Sequence, residues 1–257
     1  MSEPSIRSPL RLSGAGTQLR EFRLDCAMLT APGRGRARNE DQCVFAAPGD
    51  PAAERAGIGY LFAVVGGNAH GGNGLRAARE TAASIREILD DERAARLRPD
   101  LLSHYLQAAN GRLHDLIRGR ATVSAVWIWE EPGAGGLQAA WAHVGDTRLY
   151  RQREGRWTQV TRDHALGRLL DRAVGGSVAL QIDTGRFVPR PGERLVLLSD
   201  GVWRGARPGN ALGGRMPGTA EAARQLVGQA RLNGGADDTS AIVVTVRRAG
   251  DPPEPEH

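Results

Sequence analysis

Residues Leu195 to Trp203 read LVLLSDGVW, an apolar run closed by Ser199-Asp200-Gly201. Such a run bounded by a turn signal predicts a strand over 194–198, with Asp200 presented at its end. Three further segments place acidic residues in the same kind of position: Asn39-Glu40-Asp41, Gly145-Asp146-Thr147-Arg148 and Asp237-Asp238-Thr239. Loops at strand ends are where a rigid scaffold carries chemistry. Taken singly, each Asp beside a Gly or a hydroxyl residue is explained by a turn or a cap. Taken together, carboxylates converging on one point repel unless a divalent cation neutralises them, and an oxygen-only donor set suits Mg²⁺ or Mn²⁺ better than Zn²⁺.

The rest of the chain predicts the scaffold for these ends. Phe22, Leu24, Cys26 and Met28 alternate with mostly polar neighbours at the two-residue period of a half-buried strand. Residues 43–47 and 60–65 read as two more strands, the second apolar throughout and so buried on both faces. Leu75, Ala78, Ala82, Ile85 and Leu89, and then Leu102, Leu106, Ala109, Leu113 and Leu116, recur at steps of three and four, predicting two amphipathic helices. Strands follow over 122–129, 137–144, 148–151 and 157–161, with a hairpin turn at Glu154-Gly155. A helix over 220–232 and a strand over 240–246 close the pattern. Segregated strands and helices of this kind imply an α+β fold: a central antiparallel β-sandwich flanked by helices, in α-β-β-α layers.

With 257 residues, 40% of them hydrophobic, the chain has enough apolar surface for one globular unit. The expected division is a flexible segment over 1–19, one domain over 20–248 and a flexible Pro/Glu tail over 249–257. The net charge of +5 comes entirely from Arg, since the chain has no Lys, and the arginines are scattered among Asp and Glu. That distribution argues against a nucleic-acid partner. No apolar stretch approaches the roughly 18 residues of a membrane span, and MSEPSIRSPLRLSG has no secretory apolar segment, so no membrane association and a cytoplasmic location are expected. Cys26 and Cys43 have neither metal-ligand spacing nor a disulfide pattern.

The four acidic segments, in their order, resemble the motifs of the type 2C (PPM) metal-dependent serine/threonine protein phosphatases. Arg36 to Asp41 looks like the family's R-x-x-N-E-D, and AAWAHVGDTRLY over 139–150 like the strand leading into G-D-S-R. Thr161-Arg162-Asp163-His164 resembles T-x-D-H, LVLLSDGVW the strand ending in S-D-G, and DDTSAIVV over 237–244 the terminal D-N-x-T strand. The resemblance runs from about Phe22 to Val246 and implies a bacterial, short form of the fold. It further implies hydrolysis of phosphoserine or phosphothreonine on proteins by water held between two metals, with Mn²⁺ or Mg²⁺ as cofactor. The partner so implied is a phosphorylated protein, the product of a Ser/Thr kinase. By the same resemblance Arg36 would grip the phosphate, Glu40, Asp200 and Asp237 would ligate one metal, the backbone carbonyl of Gly67 would contribute to the other, and Asp146 would belong to a further, weaker site. A guanidinium fork suits two phosphoryl oxygens at once. Asp41 would orient neighbours from behind the ligands.

The sequence departs from that pattern in one decisive place. Where the family reads roughly V-A-D-G-M-G-G-H, this chain has Val64-Val65-Gly66-Gly67-Asn68-Ala69-His70, so the carboxylate that bridges both metals is replaced by Gly66. One retained metal site and an incomplete second are expected, with weakened hydrolysis, or else a noncatalytic relative that binds a phosphoprotein or regulatory partner. The flap usually inserted after His164 is almost absent, Ala121-Thr122-Val123 stands where G-T-T is usual, and Asp238 replaces the common Asn. Two other readings fail on the residues: the Gly-rich loop lacks the G-K-[ST] ending of a nucleotide cradle, and no G-x-S-x-G elbow is present.

Overall fold

Two antiparallel sheets stack face to face in the computed structural model, which describes residues 5–7, 19–68, 72–131, 136–166, 169–213 and 217–252. The first third comprises β1 (Ser5–Arg7), β2 (Phe22–Ala31), β3 (Gln42–Ala46), α1 (Pro51–Ala56) and β4 (Tyr60–Asn68). Helices α2 (Gly74–Arg86) and α3 (Ala94–Arg112) follow, then a meander of β5 (Arg120–Glu131), β6 (Gly136–Val144), β7 (Arg148–Arg153) and β8 (Arg156–Gln159). The last third holds β9 (Ala165–Leu166), β10 (Leu169–Leu170), β11 (Asp183–Phe187), β12 (Arg194–Leu198), α4 (Asp200–Trp203), α5 (Pro208–Ala211), α6 (Thr219–Leu232) and β13 (Thr239–Arg248). One sheet runs β1-β2-β13-β12-β7-β8 and the other β11-β6-β5-β4-β3, with β9 and β10 forming a small ribbon of their own. The α+β sandwich expected from the sequence is the architecture observed.

Alternation along the strands decides what each face buries. Leu24, Cys26 and Met28 of β2, Leu195 and Leu197 of β12, and Ile242 and Val244 of β13 join the core between the sheets. Their neighbours Ala27, Leu29, Val196, Leu198, Ala241 and Val243 turn the other way and pack with Ala223, Leu226 and Val227 of α6. Both faces are therefore dry, and this is why LVLL is apolar without interruption. On the opposite side α2 lies on β4 and β5, and α3 packs against α2 and β6. Each large aliphatic side chain so buried contributes about 1.5–3 kcal/mol.

Several local expectations shift. The second amphipathic helix was to bury Leu116, but the backbone widens into a π turn over Leu113–Ile117, so Ile117 turns inward and Leu116 is 75% exposed. Strand β11 (DTGRF), too short and polar to be recognised, pairs with β6 as an edge strand. Glu154 and Gly155 adopt φ of 50° and 76°, the left-handed pair of the expected tight hairpin turn. At the N-terminus, Ser5–Arg7 pair with β2, and Leu19 is buried in the core. The remainder of the segment before Leu19 and residues 253–257, both expected to be flexible, lie outside the described residues, as do Ala69 and His70. Among the described residues no helix is long and apolar enough to cross a membrane.

Candidate active site

Four connections bring the acidic segments to one end of the sandwich. The β2–β3 loop carries Arg36, Glu40 and Asp41; the β6–β7 turn carries Asp146; β12 runs directly into Asp200; and Asp237 and Asp238 precede β13. Strand β4 ends among them with Gly66 and Gly67, paired with Thr122 and Ala121 of β5. Gly145, at φ 103°, packs so closely on Thr122 that a Cβ would lie 2.4 Å from the Thr122 methyl, so only glycine admits the turn that presents Asp146.

Two arginines, not one, organise these carboxylates. Arg204, at the end of the one-turn helix α4, donates from Nη2 to Asp146 Oδ2 at 3.0 Å, and its Nη1 lies 3.0 Å from Asp200 Oδ2 and 3.8 Å from Asp237 Oδ2. Arg36 pairs with Asp237 Oδ1, donates to Asp238 Oδ2 at 3.1 Å and to the Ala236 carbonyl at 3.2 Å. Asp238 is itself a buried clamp, accepting the Gly33 N–H at 2.7 Å and the Glu40 N–H at 2.9 Å. It thereby ties the β2–β3 loop to the start of β13. Trp203 donates its indole N–H to the Asp146 carbonyl at 2.7 Å, and the Arg148 guanidinium lies 3.3 Å from its ring centre while pairing with Asp163.

Negative charge remains in excess. Burial pushes the Asp146 carboxyl up to about 6, with the charge of Asp200 adding to it and Arg204 opposing it. Burial also raises Asp200, with Arg204 pulling the other way and Asp237 adding repulsion. Asp41 is held well above the usual carboxylate range by burial and by Asp200, partly offset by the nearby Ser240 and Ser199 hydroxyls. Desolvation opposes the charge on Arg36, but Asp238, Asp237 and Glu40 outweigh it and raise the guanidinium.

The sequence-predicted residues are not all joined. Asp146, Asp200 and Asp237 meet through Arg204, and Arg36 meets Asp237. Glu40 Oε2 and Asp41 Oδ2 are buried without a hydrogen-bond partner, as donors awaiting a cation would be. Among the described residues no group of three or more His, Cys, Asp or Glu side chains is placed to hold a metal ion. Position 66 has no side chain, and a Cβ there would meet Thr122 Oγ1 at 2.8 Å. Gly67 is wedged between backbones, its Cβ position 2.7 Å from Gly74 and 2.8 Å from the Glu40 carbonyl oxygen. Glu40 and Asp41 thus keep uncommitted acceptor oxygens, while position 66 offers none.

The sequence named Thr122 and Trp203 only as members of motifs, with no role, and Arg204 not at all. The signal for Arg204 was present, because a residue four beyond Asp200 faces it across one helical turn. Thr122 and Trp203 gave none, since their roles come from cross-strand and cross-loop contacts. Behind the site, His143 is fully buried beside Ser124, 3.0 Å from its hydroxyl, and Ser124 in turn meets Thr147 Oγ1 at 3.0 Å.

No family model matches the chain. A Streptococcus pyogenes protein described as protein phosphatase 2C-type is 25% identical over 173 residues, 56% of this chain and 68% of that protein. Among solved structures, the PPM Ser-Thr phosphatase MsPP from Mycobacterium smegmatis, in complex with cacodylate, is 28% identical with a TM-score of 0.68, covering 86% of this chain and 97% of that one. The catalytic domain of the serine threonine protein phosphatase PstP, in complex with 2 manganese ions, superposes with a TM-score of 0.71 at 24% identity over 88% and 99% of the two chains.

Proposed function

We propose that this chain, a member of the type 2C (PPM) phosphatase family, hydrolyses phosphoserine or phosphothreonine on protein substrates through a metal centre weakened at Gly66. The observation that carries this reading is the meeting of Asp146, Asp200 and Asp237, from three separate connections, beside the Arg36 guanidinium. Glu40, Asp200 and Asp237 would hold one Mg²⁺ or Mn²⁺, with the Gly67 carbonyl and Asp146 as weaker contributors. The bound ion supplies a water acidified enough to attack phosphorus near neutral pH. Arg36, anchored by Asp237 and Asp238, presents a planar fork at the same mouth and exchanges carboxylate oxygens for phosphoryl oxygens when substrate arrives. Without a carboxylate at position 66, turnover is slow. The implied partner is the phosphoprotein product of a Ser/Thr kinase, in the cytoplasm.

Phosphate release from a phosphothreonine peptide with Mn²⁺ tests this. A slow rate above buffer, lost in Asp200→Asn and Asp237→Asn, is expected; a wild-type rate equal to buffer sinks the catalytic reading.

A second reading, a noncatalytic phosphoprotein binder, is favoured by Arg204 among the carboxylates. It predicts that the same peptide binds in the presence of a chelator and that its unphosphorylated form does not.

A further inference from the structure

The geometry points to Arg204 as a built-in cation that holds the acidic cluster in the metal-free protein, so that a divalent ion enters only by displacing it. This rests on the proposal that the cluster is a metal site, and it adds a residue that decides when the site fills.

Arg204 reaches carboxylates on three different connections, at 3.0, 3.0 and 3.8 Å, using Oδ2 of Asp146, Asp200 and Asp237. An ion coordinated by Asp200 and Asp237 at roughly 2.0–2.1 Å would compete for those same oxygens. It would also place like charges within a few ångströms of each other, so guanidinium and ion exclude one another.

The side chain is free to leave. Arg204 sits at the end of a single helical turn, its side chain is 35% exposed, and two of its three partners, Asp146 and Asp237, lie outside α4. Glu40 Oε2 and Asp41 Oδ2 have no hydrogen-bond partner. Arg204 thus balances Asp146, Asp200 and Asp237, and none of these ion pairs reaches Glu40 or Asp41. Arg36 cannot take over this task, because its three contacts lie on Asp237, Asp238 and the Ala236 carbonyl.

Calorimetric titration with Mn²⁺, combined with thermal unfolding, of the wild type, Arg204→Ala and Arg204→Gln tests the inference. Removing the guanidinium should tighten Mn²⁺ binding at least tenfold. It should also lower the melting temperature of the metal-free variant by several degrees, and saturating Mn²⁺ should restore it. The wild-type melting temperature should respond to Mn²⁺ less than that of the variants. Equal Mn²⁺ affinity in wild type and variants overturns the role of Arg204 while leaving the metal-dependent reading intact. Absence of Mn²⁺ binding in all three overturns both. If the alanine variant fails to fold, the glutamine variant, which keeps a hydrogen-bonding amide, carries the comparison. Micromolar Mn²⁺ binding by the wild type with no shift in the glutamine variant is then the contrary result.

Discussion

Gly66 lies directly opposite Thr122 across the β4–β5 ladder, and a Cβ at position 66 would stand 2.8 Å from the Thr122 hydroxyl oxygen. An aspartate at position 66 would therefore press on the Thr122 side chain. Thr122 is held from its other side by the close approach of Gly145, which leaves its β-branched side chain little room to turn.

This makes Gly66→Asp alone a poor restoration. It should destabilise the protein by about 1–3 kcal/mol in urea unfolding, through overpacking and a further buried carboxylate. Adding Thr122→Ala should recover part of that loss, a non-additivity expected of residues in contact. Equal stability of single and double variants would show that position 66 has room after all.

Asp238→Asn, although Asn is usual in the motif the sequence resembles, should cost about 1–3 kcal/mol. The carboxylate accepts from Gly33, Glu40 and Arg36 on two oxygens, whereas an amide turns one acceptor into a donor and leaves a buried N–H unmatched. Denaturant midpoints of the two proteins decide it, and an unchanged midpoint would remove Asp238 from its role as clamp.

Stability should fall on acidification below neutrality, in part through one histidine. Burial, helped by neighbouring His164, lowers the His143 pKa from 6.5 to about 4, against the hydrogen bonds to Arg162 and Val123. The unfolded chain then takes up a proton below about pH 6.5 while the folded one does not until about pH 4. The contribution of a neutral His143 is complete above pH 6.5 and lost as pH falls to 4, a change on the order of 3 kcal/mol. His143→Gln should flatten the unfolding free energy across that window; an unaltered slope would assign the pH dependence elsewhere.

Leu197→Ala, between the sheets, should cost about 2–5 kcal/mol, whereas Leu232→Ala at the end of α6 should stay within about 0.5 kcal/mol. Leu197 is fully buried and Leu232 is 79% exposed. Chemical denaturation of both tests whether the inter-sheet layer is the principal core.

The sandwich was legible because its strands alternate or run apolar at a strand's length, and the two long helices because their buried residues recur along one face. Patterns shorter than about one turn or one pleat were not: β11, the small ribbon and the π turn that swaps Ile117 for Leu116 depend on what lies opposite them. The acidic segments could be recognised one by one as motifs, and Gly66 could be recognised as a loss.

What the linear chain determined by itself is the layer order and the list of carboxylates at strand ends, since periodicity and turn chemistry are local properties of neighbouring residues. What only the tertiary structure decided is which charge balances which. Arg204 meets Asp146, 58 residues away, and Arg36 meets Asp237, 201 residues away, because the ends of strands from both sheets share one rim. Coulombic partners are set by distance in space, and no spacing along the chain encodes that distance.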